Sequence, residues 1–186
     1  MTATTPSRQE TAGVLVPRVV ALPAAAELLD KLRDKHGPLM MHQSGGCCDG
    51  SSPMCYPQGE FMVGDREVLL GVLDLRLFLG QIRDDAPSDA DGVPVWISPQ
   101  QFAAWEHTQL VLDVVPGRGA GFSVEGPEGV RFLTRSRVFN EEETAALAAQ
   151  RPLTGADWDV GRRPAPATQP QVVAQVDDAC AFPQRS

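Results

Sequence analysis

Three cysteines and a histidine crowd one short stretch of this chain, His42-Gln43-Ser44-Gly45-Gly46-Cys47-Cys48-Asp49-Gly50-Ser51-Ser52-Pro53-Met54-Cys55. Thiolates are soft ligands that suit zinc, copper(I) or an iron–sulfur centre. The surrounding glycines let backbone amides come close to sulfur or to an anion. Cys47 and Cys48 are neighbours, so their side chains point differently, and Cys55 can return to the same site across a tight loop. His42, Asp49 and His107 are further candidate ligands. The same residues permit other chemistry. A thiolate at Cys47 or Cys48, its pKa brought below the usual value of about 8.5 by loop amides and His107, would be a nucleophile or a redox centre. Equally, the cysteines are small buried hydrophobes, or a disulfide joins Cys55 to Cys47 or Cys48. The spacing is not the CxxC…CxxC of a zinc finger, so metal binding, thiol chemistry and a structural loop all stay open.

Arg131, Arg135 and Arg137 stand at odd positions of one run. On a strand they share a face and could bind a carboxylate or phosphate bidentately. Salt bridges to the acidic surface would use the same donors. His107 follows Trp105 and Glu106 at a predicted helix end, where the dipole alone favours a protonated imidazole. Gly117-Arg118-Gly119-Ala120-Gly121 has the wrong spacing for a dinucleotide fingerprint and reads as a Gly-rich turn before a strand. No Ser/His/Asp arrangement, HExxH or P-loop is present.

The elements that must position these groups are short. Pro23 to Lys35 reads as a helix with Leu28, Leu29 and Leu32 on one stripe, stopped by Gly37-Pro38. Leu39 to Gln43, Val68 to Leu73, Val93 to Ile97 and Leu110 to Val115 read as strands, and residues 45–56 as a loop. Ser98-Pro99-Gln100-Gln101 starts a second helix reaching about His107. Phe122 to Glu125 and Val130 to Leu133 read as a hairpin around Gly126-Pro127-Glu128-Gly129. Asn140 caps a short acidic helix to Gln150. The expected organisation is a disordered N-terminus (1–18), an α+β core (19–140), and a short helix followed by a disordered Ala/Pro/Gln-rich tail (141–186).

The 186 residues carry 16 Lys+Arg against 24 Asp+Glu, a net charge of −8. That balance argues against nonspecific binding to nucleic acid or an anionic membrane. No apolar run approaches the roughly 20 residues of a membrane span, and the polar start shows no signal-peptide pattern. A cytoplasmic location is the expectation.

Residues 36–57, together with Gln109 to Gly121 (QLVLDVVPGRGAG) and Arg131 to Phe139 (RFLTRSRVF), resemble the signature blocks of an uncharacterised bacterial family catalogued only as a domain of unknown function. Members are often encoded beside aldehyde dehydrogenases. The resemblance therefore implies a small, non-enzymatic accessory protein with such an enzyme as partner. A second, more distant resemblance is to the A-type iron–sulfur carriers of HesB-like fold. Leu22-Pro-Ala-Ala-Ala-Glu-Leu-Leu is similar to their first helix and Gly45-Gly46-Cys47-Cys48-Asp49-Gly50 to their Gly-Gly-Cys-Ser-Gly loop. The segments 92–102 and 119–127 follow in the same order. It implies short mixed strands in a sandwich-like arrangement with an N-terminal helix, and a metal ion (zinc, iron or copper) or Fe–S cluster as cofactor. The carriers' terminal Cys-Gly-Cys is replaced here by Thr134-Arg135-Ser136-Arg137, so only Cys47 carries over from their ligand set. A homodimer is a common state for β-rich domains of this size.

Overall fold

The computed structural model describes residues 14–43, 53–118 and 121–175. Strand β1 (Val19–Ala21) leads into helix α1 (Pro23–His36), and β2 (Leu39–Gln43), β3 (Pro53–Pro57), β4 (Val68–Asp74) and β5 (Gly92–Ile97) follow. Helix α2 (Pro99–Trp105) connects to β6 (Thr108–Pro116), β7 (Val130–Val138) comes next, and α3 (Glu141–Ala148) and α4 (Gly155–Asp159) close the order. The architecture is α+β, with two mixed sheets ordered β1-β6-β7 and β3-β2-β5-β4.

Local chemistry explains the helices. Pro23 occupies the first turn of α1, where its missing N–H costs nothing, and Gly37 at φ 80° ends it by donating to the Arg33 carbonyl. Ser98 Oγ caps α2 by accepting from the Gln101 N–H, and Asn140 and Glu143 form a reciprocal capping box on α3. The main core is shared by α1 (Ala25, Leu29, Leu32) and the inner faces of both sheets, with Val19, Leu110, Leu112 and Phe132 from one and Met41, Val95 and Ile97 from the other. A bulge at Leu69/Gly71 makes Leu70 and Gly71 both face inward. Only glycine suits the second of these positions easily, because a Cβ there would lie 3.2 Å from Val19 Cγ1.

Three expectations change. Residues 53–57 are strand, not loop. β3 runs along an outer edge of its sheet, where Pro53 and Pro57 lose no ladder bond. Residues 122–125 form no strand; the chain turns through a short 3-10 segment (Gly126–Glu128) into β7. The third change concerns the tail, which is a strap across the fold as far as residue 175. Leu153 and Trp158 cover the outer face of the second sheet over Met40, Leu69 and Trp96, with Trp158 edge-on to Trp96 at 5.6 Å between centroids. Farther on, Gln171 joins the edges of both sheets. Its side chain donates to the Val72 carbonyl and accepts from the Asp74 N–H, while its own carbonyl accepts from Ala21 N–H. At the other end, Val16 is buried against Phe139 and Leu147.

Candidate functional site

β2 and β3 pair antiparallel with Gln43 opposite Pro53, so the ends that residues 44–52 join in sequence lie side by side. His42 stands next to the first of these ends. It is 7% exposed, and its Nε2 lies 2.8 Å from Glu67 Oε2. A carboxylate only accepts, so Nε2 carries the proton in this pair. The ring is also held by Phe61, 4.7 Å away centroid to centroid, which in turn stacks on Tyr56 at 5.0 Å. The cross-sheet row His42–Trp96–Leu69 explains how Glu67 arrives: it precedes Leu69 by two positions and shares that outer face. Its backbone is fixed separately, the carbonyl accepting from Gly155 N–H and the N–H donating to Gly64.

Cys55 belongs to the opposite face. It pairs with Met41, whereas His42 pairs with Met54. Strand alternation therefore points His42 outward and Cys55 into the main core, where it is fully buried. Its N–H donates to Ser123 Oγ (2.8 Å) and its carbonyl accepts from Val124 N–H (3.0 Å). The Ser123 hydroxyl donates in turn to Glu125, a carboxyl only 1% exposed that also accepts from the Phe132 N–H of β7. Burial pushes the Cys55 thiol far above its ordinary range, and the neighbouring Glu125 charge adds to this. Burial likewise raises Glu125, with the Ser123 hydrogen bond opposing. Beside them Thr134 Oγ1 donates to the buried Gln43 Oε1 at 2.6 Å. This inner constellation ties the free edges of β3 and β7 together and holds Cys55 as a protonated thiol.

The described candidate ligands, His42, Cys55 and His107, thus fall into separate places. Cys47, Cys48 and Asp49 lie outside the described residues. His42 and Cys55 are on opposite faces and cannot grip one ion. His107 is exposed between α2 and β6, its carbonyl accepting from Phe139 N–H. Among the described residues no three His, Cys, Asp or Glu side chains form a group that could hold a metal ion. Arg131, Arg135 and Arg137 do share one face of β7, and that face is occupied. Arg135 pairs with Asp113 at 2.8 Å, Arg137 with Glu143 at 2.7 Å and Gln109 at 3.1 Å, and the stem of Arg131 packs over Gly117. Arg137 holds the Glu143 carboxyl below its ordinary range.

Glu67 was not legible as a site residue. An acid before an apolar strand is ordinary, and its meeting with His42 depends on β5 lying between β2 and β4. Among the described residues no helix is long and apolar enough to cross a membrane. Residues 28–138 match the model of a family described as a domain of unknown function, DUF779. No curated protein and no solved structure matches the chain.

Proposed function

The chain belongs to the DUF779 family, and from that premise we propose that it is a non-enzymatic accessory protein. In this reading a soft metal ion or iron–sulfur centre is held through Cys47 and Cys48, with His42 as nitrogen donor. The observation that carries the reading is the part-buried His42–Glu67 pair, beside the end of β2 at Gln43 after which the cysteines follow in sequence. A carboxylate on one imidazole nitrogen fixes the tautomer and raises the basicity of the other, which is how metal-ligating histidines are oriented. The bound centre would supply a positive charge that keeps the coordinating thiols deprotonated. Asp49 is a further oxygen donor within the same segment. Cys55 and His107 are left out, the first by its face and the second by its exposed position on another element. In the same proposal the fold is a HesB-like variant whose site has moved into this segment. The partner is an aldehyde dehydrogenase, and the chain works in the cytoplasm, as a homodimer or alone.

Alkylation tests this. A bound metal shields Cys47 and Cys48 from iodoacetamide until a chelator strips it, and the shield is lost in His42→Ala. The same pair also favours a second reading, in which His42, oriented by Glu67, is the base that activates Cys47 or Cys48 as a nucleophile or redox thiol. In that case purified protein contains no metal, and one thiol reacts fast at neutral pH and slows in His42→Ala.

A further inference from the structure

The strap leaves a cavity of about 430 Å³ between itself, β1 and β4, within the roughly 300–1,000 Å³ range of small-molecule sites. Its lining is mixed, with Val19, Leu69, Leu77, Leu153, Pro164 and Pro166 among its apolar residues. Its charged groups are Arg18, Arg83, Arg151 and Arg163 against Asp74 and Asp85. Both acids are already neutralised. Asp74 accepts from Arg76 at 2.7 Å, and Asp85 accepts from Arg76 at 2.7 Å and Arg83 at 2.9 Å.

Arg83 is spent on Asp85 and Arg151 pairs with Asp157 at 3.6 Å, but Arg18 and Arg163 are not balanced in this way. Among the described residues Arg18 donates to the carbonyls of Glu106 (3.3 Å) and Gln150 (3.5 Å) and lies over the Phe102 ring. The Glu106 carboxylate acts on it from beyond ion-pair distance, and burial is the larger influence on its charge. Arg163 donates to the carbonyls of Trp158 and Arg162, both at 3.0 Å, and lies 3.6 Å over the Trp158 ring. Carbonyls and a ring face solvate a guanidinium without neutralising it. A cavity with this mixed lining, bordered by two arginines that no carboxylate among the described residues neutralises at ion-pair distance, is matched to a negative head on an apolar body.

We propose that this cavity binds a small organic anion, a carboxylate or phosphate ester carrying a short apolar chain. Neither His42 nor Glu67 lines this cavity, and the proposal does not depend on the metal reading.

Calorimetric titration of the full chain with octanoate, octyl phosphate, octanol and octylamine tests it. Saturable one-to-one binding of octanoate or octyl phosphate, with neither octanol nor octylamine binding, is expected, and the tighter of the two anions identifies the head group. Arg18→Gln weakens it about tenfold, the scale of one lost charge-assisted contact. Arg163→Gln on the exposed rim weakens it less, and Ala167→Trp, filling the cavity from the strap, abolishes it. Should Arg18→Gln fail to fold, the last two variants decide. No anion binding at millimolar concentration overturns the proposal. So does equal binding of octanol, or affinity unchanged in both Arg163→Gln and Ala167→Trp.

Discussion

His42 and Cys55 sit one register step apart on paired strands and face opposite ways, and that alternation sorts the chemistry. The outward histidine is oriented by Glu67; the inward thiol is locked in its neutral form. Glu67→Gln therefore weakens metal affinity about 10- to 100-fold, the usual cost of losing an orienting carboxylate, in a competition titration against a chelator. Cys55→Ala leaves that affinity unchanged and costs about 1 kcal/mol of stability, seen in urea unfolding. Glu125 yields a pH prediction. Its folded pKa lies above the ordinary value of 4.5, so the native state holds its proton longer than the unfolded chain. Between those two values the native state binds more protons, and stability falls as pH rises. The contribution is whole below the unfolded pKa and is lost as pH passes through the folded one. Glu125→Gln keeps an acceptor for Ser123 and Phe132 but carries no charge. Its urea midpoint should match the wild type in acid and exceed it increasingly toward neutral pH; parallel curves would contradict this.

The elements that announced themselves carry their own punctuation. α1, α2 and α3 each begin with a proline in the first turn or a capping side chain, and these signals act locally. β3 lacked such a signal, because two prolines flank it and its strand character comes from pairing with β2. α4 was missed because its five residues sit in Pro-rich sequence. Its capping box of Thr154 and Asp157 is the same device that begins α3, over fewer apolar residues. The candidate site divides likewise: the cysteine cluster and His42 are visible in the sequence, while Glu67 is brought to His42 only by the sheet order. α4 is also tightly seated, since a Cβ on Gly155 would lie 2.2 Å from the Gly64 carbonyl oxygen. Gly155→Ala should cost up to about 3 kcal/mol in thermal or urea unfolding and loosen the segment that fixes the Glu67 backbone. A variant as stable as the wild type would show that this contact is not rigid.

At the scale of the whole molecule, the residues matching the family model end at 138, before the strap that closes the fold. β1 and β4 each leave a strand edge at the seam between the sheets, and Gln171 and Val172 cover both. A chain ending at Gln150 would expose those edges and the outer face under Leu153 and Trp158. It should lose cooperative unfolding and self-associate, as read by light scattering and calorimetry, whereas a disordered tail could be removed without effect.

The central claim is that the cysteine-bearing segment and His42 form a metal centre. Elemental analysis of protein purified anaerobically under reducing conditions tests it most directly. The account predicts zinc, iron or copper near one centre per chain in the wild type and in Cys55→Ala, and its loss in Cys47→Ser, Cys48→Ser and His42→Ala. A wild-type protein free of these metals, or one that keeps them in His42→Ala, would contradict it.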